Sequence, residues 1–374
     1  MVGSIIDIFN SNKALTISLY FLLMVFTTII ATILERLCNV LKFKTNLSSG
    51  IVAGILLGVI TSLPELITCI SSIATTQSGV IGSGDIIGSN TFDLFIMGAC
   101  LFSCIILFVD SKVNKINLWT LIFTLIGTIF VFLGSLLGDS VSGIFGGNSP
   151  LVWHGFNFFS ILIFCSYAGS VVFMILPDKK INKKQSLIQK QPTIKSIFNN
   201  WKLWLIILSI IVTAILLIAT SVFLTYASES LIYKHWSSVF GESFGGAILL
   251  GVVTSLPEIV CCVNLCLHKQ YNMLIDTMVG SCSFNLSILT LSNIVLACFN
   301  NRVGPMYEWN LQSIIQITMC LITILFSLTY LFVNTAKIKN KLKHNQIIGI
   351  NAIILSFVIS SYVVYIILGF LYNS

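Results

Sequence analysis

The chain has 374 residues, of which 56% are hydrophobic and only 9% are charged, whereas soluble domains carry about 25% charged residues. Together with a mean hydropathy of +0.99, this composition excludes a soluble protein of this size and predicts a multi-span membrane protein. The net charge of +7 does not indicate binding to nucleic acid, because the lysines are gathered in loops, as expected on one side of a membrane protein.

Apolar windows of about 20 residues, the length that crosses a bilayer as a helix, predict ten transmembrane helices and an all-α integral membrane protein. The predicted spans are residues 15–35, 50–75, 84–108, 117–138, 152–176, 203–227, 246–267, 272–299, 310–334 and 346–371.

The basic residues predict the orientation of these spans. If the polar segment 177–202 is cytoplasmic, every Lys and Arg except Lys13, Lys234 and Arg302 falls in a loop on the same side. An excess of Lys and Arg marks cytoplasmic loops. We therefore expect a multi-pass protein of the cell membrane with both termini on the extracytoplasmic side and the lipid bilayer as its surroundings.

Two blocks of sequence occur twice, in the same order. Residues 55–65 read ILLGVITSLPE and residues 248–258 read ILLGVVTSLPE, and IIGSNTFDL at 86–94 is matched by MVGSCSFNL at 278–286. This indicates duplication of a five-helix unit, and because five is odd the second copy enters the membrane inverted, as is typical of secondary transporters. The predicted domains are a first repeat (1–176, motif 54–94), a basic cytoplasmic linker (177–202) and a second inverted repeat (203–374, motif 247–286).

Each copy places a glutamate near the middle of a span, Glu65 or Glu258, directly after Pro64 or Pro257. An acid at that depth costs about 3 kcal/mol, and proline removes a helical hydrogen bond. Irregular backbone inside the membrane persists where it lines a cavity or a site. Carboxylates, hydroxyls and freed carbonyls form an all-oxygen set, which suits hard cations such as Ca²⁺ and Na⁺.

The second blocks add further polar residues to this predicted site. Ser89 and Asp93 in one copy, and Ser281 and Asn285 in the other, are four residues apart and therefore share a helix face. Three acids and one amide would then surround the bound ion. For the two serines taken alone, helix packing is the alternative interpretation.

The repeated pair of motifs, GVITSLPE with IIGSNTFD and GVVTSLPE with MVGSCSFN, resembles the calcium/cation antiporter superfamily, and most closely its sodium/calcium exchanger branch. The resemblance implies a secondary active antiporter that exchanges Ca²⁺ for Na⁺ by alternating access, with the first and sixth spans sliding against the rest. The ligands that it implies are Glu65, Glu258, the backbone carbonyls of Thr61, Thr254, Gly58 and Gly251, the hydroxyls of Ser62, Ser255, Ser89 and Ser281, and the side chains of Asp93 and Asn285.

The chain also departs from patterns of that superfamily. Many members have Gly where this sequence has Ile60 and Val253, and the acid of the acid/amide pair stands here in the first half. The Asn-Ala-Pro-Glu signature of the proton-coupled branch is absent, yet that absence does not fix the coupling ion. Exchange of Ca²⁺ or another divalent cation for H⁺ is therefore the alternative function.

Two other classes of protein are disfavoured by the sequence. A channel must release its ions quickly, which does not suit a compact site that neutralises its cation. An enzyme is not expected, because the sequence contains no nucleophile–base constellation and no HExxH motif. We expect no cofactor beyond the transported Ca²⁺ and Na⁺, and the residues indicate no particular protein partner.

Overall fold

The structure is a computed structural model, and it is nearly all helical. The residues that it describes are 13–45, 47–48, 50–76, 79–108, 113–144, 152–153, 156–175, 197–231, 254–298, 306–307, 311–335, 338 and 342–371. Its long helices coincide with apolar runs, since a helix satisfies all of its backbone polar groups internally, as the hydrocarbon core of a bilayer demands.

The elements follow one another along the chain with little other regular structure between them. In order they are α1 (Lys13–Thr45), a π-helix (Gly50–Leu57), α2 (Gly58–Thr61), α3 (Leu63–Thr76), α4 (Val80–Ser103), α5 (Ile105–Phe108), α6 (Lys115–Ile144), β1 (Val152–Trp153), β2 (Phe156–Asn157), α7 (Phe159–Ile175), a 3₁₀ turn (Ile197–Asn200), α8 (Leu203–Glu229), α9 (Leu256–Leu267), α10 (Tyr271–Cys298), α11 (Leu311–Val333) and α12 (His344–Leu371). The two short strands pair antiparallel.

Eight helical segments of the described chain are long and apolar enough to cross a membrane. They correspond to the predicted spans one to four, six and eight to ten. The fifth and seventh predicted spans contain the shorter apolar helices α7 and α9. Residues 246–253 of the seventh predicted span lie outside the described residues, as do residues 177–196 of the predicted linker.

Helix α1 extends ten residues beyond its predicted end, to Thr45. The predicted first span ends at residue 35, but the side chain of Glu35 is completely buried. Both of its carboxylate oxygens have no hydrogen-bond partner among the described residues. Glu35 is buried because α1 packs against α8 and α9. The nearby residues Leu34, Leu37 and Cys38 of α1 are buried as well.

Helix α10 forms the centre of the molecule. Most of its residues are buried, and it contacts the π-helix, α2, α3, α4, α6, α7 and α9. A Cβ atom on Gly280 would overlap with the carbonyl group of Gly54, and one on Gly58 would lie 2.9 Å from the amide nitrogen of Ser281. These glycines therefore allow the π-helix and α2 to pack backbone against backbone with α10. This packing brings the first TSLPE segment (residues 61–65) close to the second block of the other copy.

Helices α1 and α8 pack against each other at the periphery of the bundle. Their outer faces carry large exposed apolar side chains, among them Phe21, Val25, Trp204 and Ile215, each more than half exposed. Contiguous apolar surface of this extent is unusual on a protein in water and is the surface that lipid covers. The side chain of Lys44, near the end of α1, donates a hydrogen bond to the carbonyl of Trp201 just before α8.

Candidate cation site

Both TSLPE segments interrupt their helices at the serine. Ser62, with φ −90° and ψ 10°, ends α2, and Ser255, with φ −83° and ψ 12°, immediately precedes α9. Pro64 and Pro257 follow, and neither has an N–H group to donate to the preceding turn. The interruption expected from the two prolines is thus present in both copies, and it exposes backbone and side-chain oxygens inside the bundle.

The second blocks lie on α4 and α10, two helices that contact each other and the interrupted segments. Ser89 and Asp93 are on α4, and Ser281 and Asn285 are on α10. The spacing of four residues puts the members of each pair on one face, one turn apart. All four side chains are buried, so both blocks contribute to the interior of the molecule.

Each TSLPE serine contacts the serine in the second block of the other copy. The Oγ atoms of Ser62 and Ser281 are 2.8 Å apart, and those of Ser255 and Ser89 are also 2.8 Å apart. The two halves of the chain thus complete each other, because each first block is paired with the opposite copy's second block.

The same serines also approach the carboxylates. Ser62 donates to Glu258 Oε1 at 3.2 Å, and Ser255 donates to Glu65 Oε1 at 3.3 Å. Again the contact crosses from one copy to the other. Ser89 adds a longer contact of 3.4 Å to Glu65 Oε1. The two glutamates are therefore held in similar polar surroundings of hydroxyl groups.

The three acids and the amide of this cluster are buried, and their side-chain oxygens are only partly hydrogen-bonded. Glu65 and Asn285 are 0% exposed, and Glu258 and Asp93 are 1% exposed. One side-chain oxygen of each (Glu65 Oε2, Glu258 Oε2, Asp93 Oδ1 and Asn285 Oδ1) has no hydrogen-bond partner among the described residues. Buried acceptors without a partner are costly, and ionised ones more so. The cluster therefore has oxygens available for a positively charged ligand.

Asp93 and Asn285 occupy matched positions of the repeat but make different contacts. Asp93 Oδ2 accepts a hydrogen bond of 2.8 Å from Ser281. Asn285 Nδ2 donates to the side-chain oxygen of Asn90 at 2.8 Å. Asn90 is itself buried, and the sequence analysis did not single it out. A polar amide within an apolar span could have indicated Asn90. The repeat did not indicate it, because the matched position of the second copy is Cys282.

The predicted backbone ligands are placed as follows. Thr61 and Thr254 are both buried beside the interruptions. The hydroxyl of Thr61 donates to the carbonyl of Leu57 at 3.0 Å, as threonine often does in helices. The Gly58 carbonyl accepts a backbone hydrogen bond of 3.2 Å. Gly251 lies outside the described residues.

Among the described residues, no group of three or more His, Cys, Asp or Glu side chains forms a ready-made metal cluster. A cation at this site would therefore be held by a mixed set, in which at most two carboxylates share the coordination with hydroxyl and carbonyl oxygens. Hard cations accept such mixed oxygen sets, and Ca²⁺ takes six to eight ligands in flexible geometry. Asp85 and Asp276, buried near the starts of α4 and α10, place further acids in the same two helices.

The helices and this cluster define a class, a polytopic membrane protein with an acidic, oxygen-lined site inside its bundle. The family model described as sodium/calcium exchanger protein matches residues 15–188 and 204–371. The chain therefore belongs to the sodium/calcium exchanger family, which confirms the superfamily predicted from its motifs.

Solved structures agree on the fold. A structure of the sodium-calcium exchanger NCX_Mj soaked with Na⁺ and Sr²⁺ has a TM-score of 0.61 and 13% sequence identity, covering 95% of this chain and 99% of that one. The H⁺/Ca²⁺ exchanger CAX has a TM-score of 0.60 and 11% identity, covering 96% of this chain and 91% of that one. No curated protein matches the chain by sequence.

Proposed function

We propose that the chain is a secondary active antiporter that exchanges Ca²⁺ for Na⁺ across a membrane by alternating access. The observation that carries this proposal is the set of buried oxygens on Glu65, Glu258 and Asp93 that have no hydrogen-bond partner in the described part of the chain, on side chains that serine hydroxyls link across the two copies. Three buried carboxylates without compensating charge would be strongly destabilising. Cations are the ligands that remove this cost, and membership of the exchanger family supports Ca²⁺ as one of them.

The proposed Ca²⁺ position lies between Glu65 and Glu258, with the carbonyls of Thr61 and Thr254 as further ligands. The hydroxyls and flanking carbonyls would hold Na⁺, namely those of Ser62, Ser255, Ser89, Ser281, Gly58 and Gly251. Asp93 and Asn285 complete the centre. The matched serine contacts of 2.8 Å on both sides support this arrangement, because they place a pair of hydroxyl groups beside each glutamate.

The architecture we propose is ten transmembrane helices in two inverted five-helix repeats, residues 1–176 and 203–374, joined by the basic linker 177–202. The repeated motifs and the crossed contacts between them support this division. Inverted repeats place a transport site at their interface, near the middle of the membrane. The peripheral pair α1 and α8, packed together, is the unit that would slide against the rest.

The distribution of Lys and Arg supports placing the linker in the cytoplasm and both termini outside. The cell membrane is the proposed location, since it is the membrane across which Na⁺ gradients commonly drive Ca²⁺ export.

Exchange of Ca²⁺ for H⁺ is the second candidate function. The observation in its favour is the third acid, because Asp93 can take up a proton where Asn285, its counterpart, cannot. The similarity of fold to CAX is almost the same as that to NCX_Mj, so the fold does not favour either coupling ion.

The deciding experiment is a flux assay with the full chain in sealed liposomes. An outward Na⁺ gradient at constant pH is expected to drive Ca²⁺ uptake, and a pH gradient without Na⁺ is not. Uptake that ignores Na⁺ and follows the pH gradient would replace the first proposal by the second. If neither the Na⁺ gradient nor the pH gradient drives Ca²⁺ uptake, both proposed functions are contradicted. Empty liposomes, and liposomes with the Glu65→Gln variant, are the controls.

A further inference from the structure

Four cysteines converge where α4 and α9 pack together, outside the cation site. Cys100 and Cys104 are four residues apart on α4 and its C-terminal end, and Cys262 and Cys266 are four residues apart on α9. Each pair therefore lies on one helix face.

The closest contact in this group is between the two outer members. The Sγ atoms of Cys104 and Cys266 are 3.2 Å apart, although 162 residues separate them in the chain. The thiol of Cys266 also lies 3.4 Å from the carbonyl oxygen of Cys100. The two sulfurs are thus in contact across the interface between helices, and an S–S bond of about 2.05 Å would require them to approach each other further.

The position of Cys104 gives an oxidant access to this pair. Cys104 caps α4, with φ −107° and ψ 18°, and it is partly exposed. The short helix α5 follows it with exposed Ile106 and Leu107. Cys266 is only 7% exposed, so a reagent would meet Cys104 first, and Cys266 is placed to react next.

We propose that Cys104 and Cys266 form a redox-sensitive pair, and that their oxidation to a disulfide fixes α9 to α4 and slows transport. A metal site is the weaker interpretation, because no group of three or more ligand side chains in the described part of the chain converges as a metal cluster, and structural zinc needs four. Two thiols with their sulfurs in contact favour a disulfide instead.

The chemistry balances with a peroxide as oxidant. The Cys104 thiol is oxidised by hydrogen peroxide to a sulfenic acid, releasing one water. The Cys266 thiol then attacks that sulfur, the S–S bond forms and the S–O bond breaks, and a second water leaves. A dithiol reductant reverses the reaction by thiol–disulfide exchange.

The effect on transport follows from what the two helices carry, and this step rests on the proposed function. Glu258 lies in the first turn of α9, and Ser89 and Asp93 lie on α4. The interruption at Ser255 gives α9 a natural hinge at its other end. Helix α9 packs against α4 on one side and against α1, part of the unit proposed to slide, on the other. A covalent bond between the far ends of α4 and α9 would hold α9 to the rest of the bundle and restrain any shift of α9 that accompanies the sliding of α1. On the proposed orientation this end faces the cytoplasm, where thiols are normally kept reduced.

The test uses the full chain in liposomes, treated with hydrogen peroxide, then alkylated and digested without reduction. Mass spectrometry is expected to find the peptides of Cys104 and Cys266 joined. Most of the Ca²⁺ flux should be lost with the oxidation and should return with dithiothreitol. The variants Cys104→Ser and Cys266→Ser should transport normally and resist the peroxide. The matched controls are Cys165→Ser and Cys298→Ser, which replace exposed cysteines elsewhere and should remain sensitive.

Several results would overturn the proposal. These are the absence of the joined peptide, a joined peptide with undiminished flux, or continued sensitivity of both serine variants. Tight binding of Zn²⁺ to the reduced protein, lost in Cys104→Ser, would replace the disulfide by a metal site. If the reduced protein carries no Ca²⁺ at all, the proposed function fails instead. The joined peptide and slower hydrogen exchange in α9 after oxidation then still decide whether the pair forms and restrains the helix.

Discussion

The two copies of the motif agree closely at the glutamates and serines, and two of the matched positions at which they differ change the polar groups of the site. The paired serine contacts measure 2.8 Å in both, and the contacts from serine to the opposite glutamate measure 3.2 and 3.3 Å. By contrast, Asp93 is matched by Asn285, and Asn90 by Cys282. In consequence a carboxylate stands on one side of the centre and an amide bonded to a second amide on the other.

We expect this difference to separate two tasks within the proposed site. The symmetric part, with one glutamate from each copy, supplies two negative charges and suits a divalent ion placed between them. The asymmetric part adds a third charge on one side alone. A change in the symmetric part should therefore affect Ca²⁺ itself, and a change in the asymmetric part should affect the ion exchanged for it.

The largest effect is expected from removing either symmetric charge. Glu65→Gln and Glu258→Gln should each weaken Ca²⁺ binding by roughly 100-fold or more and abolish flux, because affinity for Ca²⁺ depends strongly on the charge of its ligands. Calorimetric titration of the purified variants and the liposome flux assay measure this. Glu35→Gln changes a third fully buried glutamate outside the cluster and should retain most of the flux. Equal losses in all three variants would refute the special role of the pair.

The asymmetric part is tested by exchanging its two residues. Asp93→Asn should change the dependence of transport on Na⁺ or pH by about tenfold in half-saturating concentration, with a smaller change in Ca²⁺ affinity, as one charged ligand of a monovalent cation is lost. The double variant Asp93→Asn with Asn285→Asp restores the total charge on the opposite side. If total charge is what matters, it should recover the Na⁺ or pH dependence. If Asp93→Asn leaves the dependence on both cations unchanged, the proposed division of tasks is wrong.

The packing that joins the two copies gives a third prediction. Gly280→Ala would place a Cβ atom against the carbonyl of Gly54, and such overpacking costs about 1–3 kcal/mol. Thermal unfolding in detergent should show the lower stability. Gly349→Ala on α12 is the matched control, because nothing lies within 4 Å of its Cβ, and it should be neutral or stabilise by about 0.5–1 kcal/mol. An unchanged midpoint for Gly280→Ala would show that the backbone contact can relax.

The smallest effects are expected at the serines. Ser62→Ala and Ser255→Ala each remove a hydroxyl contact to the opposite glutamate, worth about 1 kcal/mol net, and should shift the Na⁺ concentration for half-maximal exchange several-fold. Because the two serines have matching contacts, the shifts should be equal within error. A large shift in only one variant would show that the two serines differ in function although their contact distances are similar. Thr290→Ala, whose hydroxyl bonds to the Ser160 carbonyl at 3.1 Å outside the site, is the control.

Much of the site could be predicted from the sequence because glutamate and proline are energetically unfavourable inside a membrane span, so their presence indicates a function. Glu65 and Glu258 sit after prolines in apolar runs, and duplication pointed to both at once. The helix interruptions at Ser62 and Ser255 follow from the same prolines, since the lost hydrogen bond is a local effect. Nothing beyond the order of residues was needed for these predictions.

Other features depended on contacts between distant parts of the chain. Asn90 is part of the cluster because Asn285 donates a hydrogen bond to it. The repeat could not predict this, because the counterpart of Asn90 in the second copy is Cys282. Glu35 looked like the end of a span, but α1 continues and buries it against α8 and α9. The contact of Cys104 with Cys266 depends on how α4 meets α9. Hydrophobic windows report which residues prefer lipid or protein, and they do not report which helices become neighbours.

Each serine hydroxyl carries a single hydrogen, which limits how the contacts of the site are satisfied. Ser62 touches both Glu258 and Ser281, and Ser281 in turn touches Asp93. These are three contacts between oxygens, but only two hydrogens are present when both acids are ionised. One contact must therefore bring two lone pairs together.

The opposite side has the same shortage. Ser89 and Ser255 touch each other and both touch Glu65, again with two hydrogens for three contacts. A proton added to a carboxylate makes up the missing hydrogen, and a sodium ion shared between the facing oxygens does the same work without one. When the acids are ionised, each side of the centre thus lacks one hydrogen for its contacts, and a proton or a cation coordinated by the facing oxygens would relieve the repulsion between their lone pairs.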